Sequence, residues 1–152
     1  MLRIGLISDT HGLLRPAALD WLAGCDRIVH AGDIGNAAIL ERLAAIAPLS
    51  VVRGNNDTAD WARDLPATLT LEVGALRIHV LHDVKQLALD PVAAEIAVVV
   101  AGHSHRPGIA RRGGVLFVNP GSAGPRRFSL PIGAGELHID GGAVEARLVT
   151  LA

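Results

Sequence analysis

Over the first half of the chain, short apolar runs alternate with stretches of helical period, a pattern that predicts parallel βαβ units. Arg3 to Ser8 reads as a strand, and Pro16 to Ala23 as a helix whose first turn suits a proline. Arg27 to His30 is a second strand and Leu49 to Arg53 a third. Between them, Asn36 is placed to cap a helix running through Ala47. Ile39, Leu40, Leu43 and Ile46 recur at helical spacing as its apolar face.

From Thr68 the period changes to two. Leu69, Leu71 and Val73 alternate with polar residues, Gly74-Ala75 turns the chain, and Leu76 to His82 returns as a hairpin partner. A short helix is expected to start at Asp90-Pro91, ahead of a buried strand from Ala97 to Ala101. Gly108 to Arg112, Val115 to Val118 and Glu136 to Asp140 are further strands, and Gly141-Gly142 turns into a last one, Val144 to Leu151. Helices early and hairpins late predict an α/β domain in which two sheets pack together with helices outside. No repeat or linker divides the chain, so residues 1–152 read as one domain.

Half of the residues are hydrophobic, yet there are only two Phe, two Trp and no Tyr, so the core must be aliphatic. The formal charge of −1 offers no general field for nucleic acid, and an anionic substrate must be drawn by a local site. Cys25 is the only cysteine, which excludes an intrachain disulfide or a cysteine zinc site and suits a small buried residue. No charged leader precedes the first strand and no apolar run approaches a membrane span, so a cytoplasmic protein without membrane contact is expected.

The chemistry lies just beyond the end of each apolar run. The strands lead in turn into Asp9-Thr10-His11, Gly32-Asp33, Gly54-Asn55-Asn56-Asp57, His82 and Gly102-His103-Ser104-His105. If these strands run parallel, their carboxyl ends collect two carboxylates, one amide oxygen and four imidazoles. Each fragment alone is ordinary turn chemistry. Their repetition at five strand ends is not, and glycine directly precedes Asp33, Asn55 and His103, where it lets a loop bend tightly towards an ion.

The remaining histidines read differently. His79 stands three residues before His82 in one strand and should face the other side. His138 lies in a late alternating strand and reads as a surface residue, whereas His30 reads as a structural hydrogen-bonding group.

Taken in order, D-x-H, G-D, G-N, H and G-H-x-H over Asp9 to His105 resemble the calcineurin-like metallophosphoesterases. The compact size, Gly54-Asn55-Asn56-Asp57 and Asn119-Pro120-Gly121-Ser122 resemble their small YfcE-like phosphodiesterase branch. The resemblance implies a four-layer α/β/β/α sandwich with a two-metal centre at the strand carboxyl ends. It also implies that Asp9, His11, Asp33 and His105 bind one metal, while Asp33 bridges to a second completed by Asn55, His82 and His103. Two positions depart from the family: Asp83 replaces a glycine, and Asn56 stands where larger phosphatases carry the histidine that protonates the leaving group. Asn56 is therefore the candidate catalytic position, able to donate a hydrogen bond but not a proton.

Nitrogen and oxygen donors without thiolate suit Mn²⁺, Fe²⁺, Ni²⁺ or Zn²⁺, and affinity alone does not select among them; two divalent ions are expected, with Mn²⁺ the first choice. Two such ions outweigh the charges of Asp9 and Asp33, and neutral Asn55 preserves the surplus, which suits a small phosphate-ester substrate. Asp57 reads as a residue that orients a ligand or loop, and Arg126-Arg127 as a solvated pair. The competing expectation is a non-catalytic protein-binding scaffold of the same fold, similar to the retromer scaffold subunit. The complete donor set favours the hydrolase, and the oligomeric state stays open.

Overall fold

The computed structural model describes Met1–Ala152 and contains two five-stranded sheets packed face to face. In chain order the strands are β1 (Leu2–Ile7), β2 (Arg27–His30), β3 (Leu49–Val51), β4 (Thr68–Val73), β5 (Leu76–Leu81), β6 (Val98–Val100), β7 (Gly108–Arg112), β8 (Val115–Asn119), β9 (Gly133–Asp140) and β10 (Ala143–Thr150). The helices are α1 (Pro16–Leu22) and α2 (Ala37–Ala44). The first sheet has the order β10-β9-β1-β2-β3 and the second β4-β5-β6-β8-β7. Strands β1, β2 and β3 run parallel, as do β5, β6 and β8.

Aliphatic alternation explains the layering. Ile4 and Leu6 of β1, Ile78 and Val80 of β5, and Val98 and Val100 of β6 point into the space between the sheets and form its main core. Residues of opposite parity face outwards: Ile7 and Ile28 pack under α1 and α2, while Leu81 and Val99 pack under the segment leading to β6. Asn36 caps α2 as expected, its Oδ1 accepting from Ile39 N at 3.1 Å. The helix stops at Ala44 rather than Ala47, because Pro48 disfavours helical backbone just before it.

The helix expected at Asp90-Pro91 is a single closed turn. Ala94 N donates to Asp90 O at 2.9 Å, but Glu95 adopts φ 59° and Ile96 N reaches back to Pro91 O at 2.8 Å. That pairing is a Schellman closure, which stops the turn as soon as it has formed. The outer layer on the second sheet is thus built from this turn and a short 3₁₀ segment, Val84–Gln86. Strand β9 starts at Gly133, three residues before the expected Glu136, and pairs with β1 as well as β10. No helix is long and apolar enough to cross a membrane.

Candidate metal centre

All seven candidate donors lie beyond the carboxyl ends of β1, β2, β3, β5 and β6, so the edges of both sheets meet at one place. Backbone hydrogen bonds fix the loops to one another. His11 N donates to Asp33 O and Gly12 N to Ile34 O, both at 2.9 Å, while Gly102 N donates to His82 O at 2.9 Å. The loops are packed too tightly for side chains at several glycines, Gly54 and Gly102 among them. A Cβ on Gly54 would lie 2.2 Å from Asp33 N, and one on Gly102 2.0 Å from Ser8 Oγ.

The donors form two groups, Asp9 with His11 and His105, and Asp33 with His82 and His103. In the first, Asp9 Oδ1 lies 3.7 Å from His11 Nε2 and 3.4 Å from His105 Nε2. In the second, Asp33 Oδ2 lies 3.2 Å from His82 Nε2, and His103 Nδ1 is 3.3 Å from that same nitrogen. Asn55 joins the second group, its Oδ1 3.2 Å from His103 Nδ1. The groups touch, because Asp33 Oδ2 is also 3.6 Å from His11 Nε2. Asp9, Asp33, His82 and His105 are buried, whereas the His103 side chain is 45 % exposed and stands at the mouth.

Seven non-glycine residues have left-handed backbones, and five of them are Asp9, His11, Asp33, His103 and His105. This conformation strains L-residues and is tolerated best by short polar types such as Asp and His. It turns the five side chains into the cleft immediately beyond their strands.

Burial works against the Asp9 carboxylate, but the facing imidazoles of His105 and His11 and the hydrogen bond from Ser8 outweigh it and hold its pKa well below the usual range. Asp33 behaves likewise: burial raises its pKa, and His82 with the Asn56 N–H more than reverses this. The His11 pKa is raised, chiefly by the facing Asp9 carboxylate. For His82, burial lowers the pKa, yet Asp33 and the Ala31 carbonyl drive it up overall.

The donor set fits divalent cations. His82 Nδ1 must donate to Ala31 O, 2.8 Å away, so the Nε2 of a neutral ring presents a lone pair to the Asp33 carboxylate. Two acceptors facing each other need a proton or a cation between them. Asp9 Oδ2 accepts from Ser8 Oγ and His103 N, whereas its buried Oδ1, on the side of His11 and His105, has no hydrogen-bond partner. A buried carboxylate oxygen left in this way matches a ligand position.

Further contacts support the donors, and the partners they make are not readable from the sequence. Asn119 Nδ2 donates to Gly102 O at 3.0 Å and Ser122 Oγ to Asp9 O at 3.0 Å, so the Asn119–Ser122 segment ties both donor loops down. Asp57 accepts from the N–H groups of Ile34, Gly35 and Gly54, in keeping with an orienting role. Asn56 holds Asp33 rather than pointing free. Asp83 caps the 3₁₀ segment through Lys85 N and places Oδ2 3.8 Å from His103 Nε2.

His30 is wholly buried: Nδ1 accepts from Gly32 N, and Nε2 donates to Thr10 Oγ1, which itself donates to Ile34 O. His79 faces away from the site, 2.9 Å from Thr70 Oγ1. His138 departs from the expected surface position. Its side chain is only 24 % exposed and lies 2.9 Å from Glu136, because β9 is an interior strand of its sheet. Arg126 and Arg127 are exposed.

A family model described as the calcineurin-like phosphoesterase superfamily domain matches residues 2–142. A Methanothermobacter thermautotrophicus protein named "Probable metallophosphoesterase" is 30% identical over 158 residues, covering 96% of this chain and 91% of that one. Vps29 of Chaetomium thermophilum superposes with a TM-score of 0.81 at 22% identity, over 98% of this chain and 97% of its own. YfcE, described as a phosphoesterase from E. coli, gives a TM-score of 0.72 at 23% identity, over 99% and 100% of the two chains. The two structural matches establish a shared fold; the family model and the archaeal relative, which share sequence along nearly the whole chain, establish that this protein belongs to the calcineurin-like phosphoesterase superfamily.

Proposed function

We propose that the chain is a phosphodiesterase that works with two divalent cations, Mn²⁺ by preference. Asp9, His11, Asp33 and His105 hold one, and Asp33, Asn55, His82 and His103 hold the other. The observation that carries this reading is the position of Asp33 Oδ2, within 3.6 Å of His11 Nε2 in one group and 3.2 Å of His82 Nε2 in the other. When bound, two such ions would supply activation of water and neutralisation of phosphate charge.

The residues do the rest. Loops knitted by backbone hydrogen bonds fix the donors before substrate arrives, so little reorganisation is needed at reaction. Exposed His103 and Asn55 open the second position to the ester, while buried Asp9 and His105 close the first from behind. Asn56 keeps the bridging carboxylate aligned and can offer no proton to the leaving oxygen.

One feature favours the scaffold alternative: an apolar groove of about 220 Å³, lined by Val84, Val99, Ile109 and Phe117, on the second sheet's outer side. It includes none of the seven donors, whose arrangement a binding surface does not require. Turnover decides between the two readings. Protein prepared metal-free and reloaded with Mn²⁺ is expected to hydrolyse members of a panel of phosphodiesters, phosphomonoesters and nucleotides, and to stop with a chelator. A folded, metal-saturated protein inactive on the whole panel would leave the scaffold.

A further inference from the structure

We propose that a polar cavity beside the second ion position receives a polyhydroxylated limb of the ester, with Arg53 as its specificity-determining residue; this rests on the phosphoesterase reading. The cavity has a volume of about 410 Å³ and shares Asn55, His82 and His103 with the site. Its other polar walls are Arg53, Thr68, Asp83 and Gln86, and only Ala67 and Leu81 are apolar.

Arg53 is half-buried at the end of β3, directly before Gly54. Its N–H is held by Pro66 O at 2.8 Å, and its guanidinium makes one hydrogen bond, from Nη1 to Arg63 O at 3.3 Å. The arginines that form ion pairs are Arg3, Arg63 and Arg77, so Arg53 has no carboxylate partner. Arg53 also borders a neighbouring cavity with Asp57, Asp60 and Arg63, and four of its five donors carry no hydrogen bond within the protein.

The charge pattern selects the ligand chemistry. Arg53 can only donate and ionised Asp83 can only accept, while Thr68 and Gln86 can do both. An anionic limb would suit Arg53 but meet the Asp83 carboxylate. An apolar limb would strip water from both charges and return no hydrogen bond to either. Hydroxyls accept from the guanidinium and donate to the carboxylate, so a limb with adjacent hydroxyls, such as a glyceryl or ribosyl group, satisfies the whole wall.

Two esters with the same leaving group compare the limbs, p-nitrophenyl glyceryl phosphate and p-nitrophenyl propyl phosphate, with product analysis subtracting any release in which the glyceryl hydroxyl itself attacks phosphorus and leaves a cyclic phosphate. The Mn²⁺-loaded parent is expected to favour the glyceryl ester about tenfold in kcat/KM, the worth of one or two hydrogen bonds. Arg53→Ala should bring that ratio to about threefold or less while leaving the propyl ester's rate within about threefold. Gln86→Leu, at an exposed position, should reduce the ratio in the same direction and serves if the arginine variant misfolds. Calorimetry with glycerol 1-phosphate and propyl phosphate reads the same preference without turnover. Equal treatment of both limbs by the parent, or an unchanged ratio in Arg53→Ala, overturns the subsite. A calorimetric preference abolished by Arg53→Ala, with both esters inert, upholds the subsite and removes the hydrolytic reading instead.

Discussion

Asn56 grips Asp33 through both carboxylate oxygens, its backbone N–H donating to Oδ1 at 2.9 Å and its side-chain amide to Oδ2 at 3.0 Å. This leaves Asp33 fixed between the two histidine groups, where a change should be felt at both. Asp33→Asn is expected to weaken both ions, each by more than about 100-fold, whereas His11→Ala should mainly weaken the first. Titration calorimetry on the two variants reads the ions separately. Retention of both in Asp33→Asn removes the bridge.

The same contact bears on the leaving group. A positioned acid contributes about 10²–10⁴-fold, and an amide engaged with Asp33 cannot act as one. Rates should therefore fall steeply as leaving-group pKa rises, with aryl diesters far ahead of alkyl esters. Asn56→His should flatten the slope and speed alkyl esters by up to about 100-fold, at the low end of that range because the variant also releases Asp33 Oδ2. A rate series over aryl and alkyl esters tests both proteins, and a flat series in the parent points to His105 or Asp83 as the acid.

Loading the site should release protons. The raised pKa values of His11 and His82 leave both rings partly protonated near neutrality, and ligation requires the neutral form. Calorimetric Mn²⁺ titrations in buffers of different ionisation heat are expected to show up to about two protons released near pH 6 and fewer above pH 8. Buffer-independent heats near pH 6 would mean that neither ring holds a proton.

His30 sets part of the acid stability. Burial lowers its pKa from 6.5 to about 4. Because the folded value is depressed, the neutral ring's contribution is fully present above pH 6.5 and is lost as pH falls from there towards about 4. The loss amounts to about 3 kcal/mol. His30→Gln should be less stable at pH 7.5, having lost the paired hydrogen bonds, but flatter between pH 6.5 and 4.5. Urea unfolding at four pH values compares the slopes; parallel slopes would assign the acid sensitivity elsewhere.

Legibility in the sequence tracked the range of the interactions. The first donors, Asp9, Asp33, His82 and His103, stand one to three residues beyond the ends of β1, β2, β5 and β6, so local pattern located the site. Asn36 and Pro16 likewise act within one helical turn. The pairing of β9 with β1 joins residues more than a hundred positions apart, and the start of β9 is hidden by Gly133, Ala134 and Gly135, which carry no β pattern. The turn after Asp90 carries helix-starting residues, but Glu95 ends it in a conformation usually left to glycine. Asn56 gives no sign of its hold on Asp33, since that contact depends on two loops meeting.

The left-handed donors set a conflict between backbone and side chain at the same five positions. Glycine would relieve strain of about 1 kcal/mol at each, and it would remove the donor. At exposed His103 little offsets that gain, whereas at buried Asp9 and Asp33 the change would also leave unpaired the Ser8, His103 and Asn56 donors that these carboxylates accept from. The cleft would thus loosen most cheaply at its mouth, while its floor is held by the contacts of its own carboxylates.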